Sequence, residues 1–444
     1  MKNFRLLVKI AVLIGAVAFL TLSFALPSSP IGFASQAGGT TGGKGGTTHT
    51  VSTGTALQDL LKRDASGLII YVNGTITPSN SPSEQKINVK EVSNISIIGS
   101  GANGIFNGVG IKIVKANNVI IQNLIIHHVN VGDKDCISIE GPVDHVWVDH
   151  CELYNDLDHD KDYYDGLLDA KAESEYITVS RCYLHDSYKT SLVGSSSGDT
   201  YDRKMTYCFN YFLDCNSRTP SYRGGVGHIF NNLFIGTRDT IGATAINSRV
   251  GAKLRIEGNY FQGLGSGEID DDGDLKLPMG PIGAYYEEPG CWDVKDNIFV
   301  DCKGNQPTTS SCSYSPPYSY NLVSANEVRN NVWNDVGAQG TSIQKVKVER
   351  VRAAVASMDK NLNGPSFAIT QGGFQIVSGE SGSMHIRMHS IDGKTIASGT
   401  VPVKRGKNTV TLSHIGYVLT FNTIGIVNYS INGKKGTQLI VSNP

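Results

Sequence analysis

Asp149, Asp165 and Asp169 are the residues of this 444-residue chain that could most readily do chemistry together. Asp165 and Asp169 stand four apart in DGLLD. In a strand, residues i and i+4 point to the same face. Asp149, in VWVDHC, belongs to the preceding copy of a recurring strand pattern. Stacked copies would bring it one rung away, at roughly 4.8 Å per rung. Three carboxylates on one face repel each other unless a cation joins them, and oxygen ligands of this kind suit Ca²⁺. The loop DLDHDKDYYD adds Asp156, Asp158, Asp160 and Asp162, which read equally well as a solvated acidic loop.

A basic set follows. Lys189 lies in SYKTSLVG, and Arg218 and Arg223 lie in NSRTPSYRGG, where Pro220 and the two glycines mark a turn. Cations beside an acidic metal site are what a polycarboxylate ligand needs: the metal bridges one carboxylate and an arginine pairs with another. The competing interpretation is that both arginines neutralise the Asp loop.

The elements that must position these residues are short strands. From about residue 50 to 340 a pattern recurs at intervals of 22 to 38 residues: VIIQNLIIHHV, VWVDHCELYN, ITVSRCYLHD, MTYCFNYFLDC, HIFNNLFIG, LRIEGNYFQGL and WDVKDNIFVDC. Aligned, these copies place Asn123, Cys151, Cys182, Asn210, Asn232, Asn259 and Asn297 at one position. Strand alternation at such a period predicts a solenoid, an all-β parallel β-helix whose coils share one core. Asn at a fixed corner suits a side-chain ladder and tolerates left-handed φ. The longer intervals are loops inserted at one corner, where repeat proteins build binding faces. A β-sandwich is the alternative, but it does not predict the repeated Asn.

Composition agrees. Charged residues make up 18%, against about 25% in an average soluble protein, and 50 glycines make the chain turn-rich. A hydrophobic content of 40% excludes disorder. A net charge of −1 argues against non-specific binding to nucleic acid or membranes.

Lys2, Arg5 and Lys9 precede an apolar run, Ile10 to Leu26, and Ser35-Gln36-Ala37 fits a small-x-small cleavage site. Residues 1–37 therefore read as an export signal, with a retained membrane anchor as the alternative, and the protein as secreted and extracellular, with no membrane contact once the signal is removed. Gly38–His49 reads as a flexible linker by composition. Residues 50–340 form the solenoid and 341–366 a linker. Residues 367–444, alternating strands with Gly-rich turns, form a small β-sandwich-like accessory or sorting module. Among the eight cysteines, Cys208/Cys215 and Cys291/Cys302 are close enough in sequence to pair. Cys136, Cys151 and Cys182 lie inside strand-like runs and are expected as buried free thiols.

At these residues the chain resembles the pectate lyases of polysaccharide lyase family 1, the family that also holds the Amb allergens. The matching strings include DCISIEGPVDHVWVDHCEL, DGLLDAKAESEYITVSRCYLHDSYKTSLVGSSSGD, SRTPSYRGGVGHIFNN and EEPGCWDVKDNIF. The resemblance implies a right-handed parallel β-helix and calcium-dependent cleavage of polygalacturonate by a monomer. It makes Asp149, Asp165 and Asp169 the metal ligands and Arg218 the catalytic base. Lys189, Arg223 and Lys171 become substrate-binding residues. Ser221 stands where many members carry a further arginine, while His150 and His228 match family strings with a structural role.

The reaction so implied is β-elimination: the proton on C5 of a galacturonate is removed, the C4–O bond breaks, and a 4,5-unsaturated end remains. A cation on the substrate carboxylate stabilises the charge that develops. An ordinary arginine stays protonated, so a basic role needs positive neighbours and alkaline pH. A pectin lyase acting on methyl-esterified chains would lack the acidic cluster. A glycoside hydrolase would need two carboxylates flanking a water. A non-catalytic polysaccharide-binding β-helix would have no need of Arg218 or Lys189.

Overall fold

A computed structural model of the chain describes residues 26–238, 244–268, 278–332 and 335–338. It also describes the segments 366–370, 373–378, 381–390, 395–411, 424–431 and 434–441. Most of the expected leader, and the expected linker before Ser366, lie outside the described residues. Among the described residues no helix is long and apolar enough to cross a membrane.

The first unit is a parallel β-helix of about seven turns. Strands pair in parallel register with their equivalents one coil away, so three sheets run along it. The first sheet carries Lys86–Lys90, Gly110–Val114, Ile137–Glu140, Leu168–Lys171, Leu192–Val193, Ser221–Arg223 and Ile246–Arg249. The second holds Val143–Asp149, Ser174–Ser180, Lys204–Cys208, Val226–Phe230 and Lys253–Glu257, with further strands at both ends. The third includes Glu152–Tyr154, Tyr183–Ser187, Tyr211–Cys215, Leu233–Ile235 and Tyr260–Gln262.

Alternation along each strand sends every second side chain inward, where equivalent residues stack. Phe212, Phe234, Phe261 and Phe299 form one such column, with ring centroids 4.7, 4.6 and 5.0 Å apart. Each fully buried ring contributes roughly 1.5–3 kcal/mol. The corner between the second and third sheets carries the predicted amide ladder. The side chains of Asn210, Asn232 and Asn259 each donate to the Oδ1 of the next asparagine at 2.9–3.0 Å, ending at Asn297.

Asn123 departs from the sequence alignment. Gln122 pairs with Asp149 and Ile125 with Glu152, so Asn123 matches His150, and Leu124 occupies the ladder position. Left-handed backbone falls on the residue before the ladder, at Arg181 (φ 48°), Phe209 (56°) and Asn231 (51°). The ladder asparagines are therefore selected for their amides, not for their φ.

Two further expectations are corrected. Gly38–His49 is packed, not free. A Cβ on Gly43 would lie 2.0 Å from the Leu68 carbonyl oxygen, so this glycine permits close approach of two backbones. Thr47–Val51 pairs in parallel with Leu68–Val72. Cys291 bonds to Cys312, with Cα atoms 5.8 Å apart. Cys302 follows a third-sheet strand, whereas Cys291 opens a second-sheet strand to which Ser311 and Cys312 return, both donating to Trp292 O. Cys208 and Cys215 end strands of different sheets and are free and buried. Cys136, Cys151 and Cys182 are buried free thiols, as expected.

The second unit, Ser342–Pro444, shows antiparallel strands in a three-stranded and a four-stranded sheet.

Candidate active site

The outward face of the first sheet gathers the charged residues. Ser138 pairs with Asp169, Glu140 with Lys171, Leu192 with Ser221, and Arg223 with Arg249. Lys189 joins through a bridge to Gly166.

Asp169 is buried, and its Oδ1 accepts from Leu192 N at 2.9 Å. Asp135, equally buried, accepts from Gly166 N at 2.8 Å. Lys171 Nζ stands between them, 3.2 Å from Asp135 Oδ2 and 3.0 Å from Asp169 Oδ2. Burial, then the Asp169 charge, pushes the Asp135 carboxyl up to about 7. Burial likewise raises Asp169. Burial pulls the Lys171 ammonium down, but the Asp169 and Asp135 charges more than offset it. Asp165, partly exposed, faces the cations: its Oδ1 is 3.4 Å from Lys189 Nζ and 3.9 Å from Arg218 Nη1. Lys189 also pairs with Asp162 at 2.6 Å.

Beside this group opens a cleft of about 450 Å³ lined by Lys161, Lys189, Arg218, Arg223 and Arg249 among neutral residues, with no carboxylate among the described lining residues. The three arginines differ. Arg223 donates to both oxygens of Glu287 at 2.7 and 3.1 Å, and to Gly194 O at 2.7 Å. Arg249 meets the same Glu287 at 2.9 Å and donates to Ser221 Oγ at 3.2 Å. Burial, then the Arg223 charge, lowers Arg249 to about 10. Arg218 has no carboxylate closer than Asp165 among the described residues. Its backbone is left-handed, φ 60°, and Ser191 N, Thr190 N and Thr219 N tie the segment to the coils on either side.

The fold thus brings Asp165, Asp169, Lys171, Lys189, Arg218 and Arg223 together. It does not bring Asp149. The strand Ile137–Asp149 bends at Gly141-Pro142: its first part pairs with Leu168–Lys171, its last with Ser174–Ser180. DGLLD therefore stacks on ISIE, not on VWVDH, and Asp149 lies at the far end, on the second sheet. There its carboxylate is saturated by Ser180 Oγ (2.6 Å), Gln122 Nε2 (2.9 Å) and His150 Nδ1 (2.6 Å). His150 continues to Asp335 at 3.4 Å. His228, also buried, bonds Glu257 (3.0 Å) and Tyr318 (2.8 Å). Both histidines sit in structural networks away from the cleft.

Asp135 is the residue that inspection of the sequence missed. The signal was available: it precedes ISIE, the segment that the carboxylate strand stacks on. Arg249 and Glu287 carried no spacing signal, since they come from separate later coils. Among the described residues no three acidic, His or Cys side chains already converge on one point. The donor set nonetheless fits a hard cation. Asp135, Asp165 and Asp169 would offer oxygen donors alone from adjoining coils, and Asp169 Oδ2 is buried without a well-aligned hydrogen bond.

A sequence profile of the pectate lyase family matches residues 6–341. The chain belongs to the pectate lyase family. It is 50% identical over 308 residues to the pectate trisaccharide-lyase of Bacillus licheniformis, covering 69% of this chain and 85% of that one. The crystal structure of a pectate lyase from Bacillus sp. N165 in complex with trigalacturonate is 42% identical, with a TM-score of 0.65 over 70% of this chain and 99% of that one. Pectate lyase C of Erwinia chrysanthemi, at pH 9.5 with 30 mM Ca²⁺, is 25% identical, with a TM-score of 0.54 over 70% and 97%. Family membership makes this protein a pectin-degrading lyase on a right-handed parallel β-helix.

Proposed function

We propose that the protein is a secreted, calcium-dependent lyase that cleaves de-esterified polygalacturonate by β-elimination, with Arg218 as the base. The observation that carries this is a cleft lined, among the described residues, by five cations and no carboxylate, flanked by the Asp135, Asp165 and Asp169 group. These carboxylates would hold Ca²⁺. When bound, the ion neutralises a substrate carboxylate and makes the neighbouring C5 proton more acidic.

This chain's own residues supply the rest. Arg223 and Arg249, fixed by Glu287, offer planar guanidinium groups to uronate carboxylates. Lys189 and Lys161 add point charges at the cleft wall. Arg218, whose nearest carboxylate oxygen among the described residues is 3.9 Å away, takes the C5 proton; the C5–H electrons form the C4=C5 double bond, and the C4–O bond breaks. The leaving oxygen takes its proton from water. A guanidine can accept a proton only when neutral, so alkaline pH favours the step.

Ultraviolet absorbance of the unsaturated product tests this. Polygalacturonate with Ca²⁺ is expected to give a steady rise, abolished by EDTA and reduced about 10²–10⁴-fold by Arg218→Ala. Chain shortening without the new absorbance, or full activity in EDTA, would refute it.

A further inference from the structure

The outward face of the second sheet carries one row of side chains aligned across five coils: Ser96, Ile120, Trp147, Thr178 and Thr206. The segment that lies along this row is N-terminal to the first coil. Phe33 N donates to Thr206 Oγ1 (3.0 Å), Ala34 N to Thr178 Oγ1 (3.0 Å), and Thr178 Oγ1 to Ile31 O (2.8 Å). Further along, Thr41 N and Gly42 N donate to Asn118 Oδ1 (2.7 and 2.8 Å), and Gly43 N to Ser96 Oγ (2.9 Å). Upstream, Gln122 Nε2 donates to Pro27 O (3.2 Å). Phe33 is 1% exposed and meets Tyr318 edge-on at 5.2 Å. Ala34 closes over Ile120 and Trp147 in a cluster of their own. Gly32, at φ 70°, would place a Cβ 2.5 Å from Thr206 Oγ1, so the approach leaves no room for a side chain.

Three of the five row positions are hydroxyls whose partners are this segment's backbone. A row of small hydroxyls is the counterpart of a backbone laid across the coils, because peptide groups on a buried face need partners. Pro27–Gly46 is thus a strap, as much a part of the fold as any coil. Ser35-Gln36-Ala37 lies inside it. Ser35 Oγ donates to Gly32 O at 2.7 Å, and a cut after Ala37 would discard Phe33 and Ala34 and uncover Trp147. A second small-x-small string, Ser23-Phe24-Ala25, lies near the end of the apolar run, with Ala25 two residues before Pro27.

We infer that the export leader is cut between Ala25 and Leu26, leaving the strap on the mature enzyme. This rests on the secretion part of the proposed function. Water adds across that one peptide bond, giving a carboxylate on Ala25 and an amine on Leu26.

The test is the intact mass of the protein in the medium when the full chain is expressed in a bacterium with the general export route. The expected mass is that of residues 26–444. A folded, active protein beginning at Gly38 overturns the inference. Uncut chain held only in the membrane overturns the secretion reading itself and the cleavage with it. Ala25→Leu is expected to block processing, and Ala37→Leu to leave the cut site unchanged; the reverse pattern refutes it. Phe33→Ala, secreted with the same N-terminus, is expected to melt roughly 5–10 °C lower. An unaltered melting temperature would mean that the strap contributes nothing to the fold.

Discussion

Asparagine at position 149 and asparagine at position 135 should act on the fold in opposite directions. Asp149 is fully buried and receives Ser180, Gln122 and His150. An amide keeps the shape but removes the charge that His150 faces. It also turns one acceptor into a donor that points at other donors. Breaking a buried ionic network of this kind costs about 3–5 kcal/mol. Asp135 is the reverse case. Its carboxyl, carried by burial and Asp169 from the ordinary 3.8 to about 7, destabilises the charged fold by up to ~4 kcal/mol at pH 8, at about 1.4 kcal/mol per pH unit. Asp135→Asn removes that cost and keeps an acceptor for Gly166 N. Urea unfolding at pH 8 in EDTA is the assay, followed by tryptophan fluorescence, with initial rates measured alongside in Ca²⁺. Asp149→Asn is expected to unfold at clearly lower urea yet retain near-normal activity per folded molecule. Asp135→Asn is expected to unfold at higher urea, to lose most activity and to lose its stabilisation by Ca²⁺. An inactive but stable Asp149→Asn, paired with an active Asp135→Asn, would refute the register argument.

Three further outcomes follow from named groups. Glu287→Ala frees Arg223 and Arg249 from their shared acceptor, so KM for polygalacturonate is expected to rise about 10–100-fold with a smaller change in kcat; an unchanged KM would show that Glu287 does not position them. Burial would raise the Glu257 carboxyl, but hydrogen bonds from His228, Arg255 and Tyr320 carry it down to about 2. Its stabilisation, about 3 kcal/mol, is therefore present above pH 4.5 and lost as pH falls toward 2; Glu257→Gln should flatten the acid limb of a melting-temperature profile, and an unaltered limb counts against it. Burial would lower His150, but Asp149 and Asp335 hold it up at about 9. That contribution, again about 3 kcal/mol, is complete below pH 6.5 and lost as pH rises through 9, so His150→Gln should abolish a fall in melting temperature between pH 7 and 10, and a wild type with no such fall would contradict it.

The coil architecture was legible because it is local: alternation within each strand and a recurring corner residue are visible in any one copy. The basic half of the site was legible for the same reason, since SYKTSLVG and NSRTPSYRGG each carry their residues on one short segment. The acidic half required the register between coils, and periodicity alone leaves that open. VWVDHC and DGLLD are both strand-like and lie in successive copies, so they seemed to stack. The bend at Gly141-Pro142 divides one strand between two sheets, and nothing in the alternation marks which part faces which neighbour. The linker expectation failed for a related reason: Gly-rich composition describes the unfolded chain's freedom, whereas here glycine is demanded by backbones in contact. Cys312 was overlooked as a partner because sequence proximity is a poor guide when a loop returns to a strand end.

The cleft solves a conflict between two uses of arginine. Binding a polyanion requires cations held still, and Glu287 does this for Arg223 and Arg249 with one carboxylate shared between them. Arg218, the proposed base, is not clamped in this way: among the described residues its nearest carboxylate oxygen, on Asp165, is 3.9 Å away. Ser221 contributes to the same division. In place of a further cation it offers a hydroxyl to Arg249 from the adjoining coil, so the positive charge at that end of the cleft is supplied by the neighbouring rung. In a β-helix this exchange is natural, because residues one coil apart are about as close as residues two apart within a strand. Charge can therefore be moved between coils without changing where the substrate meets it.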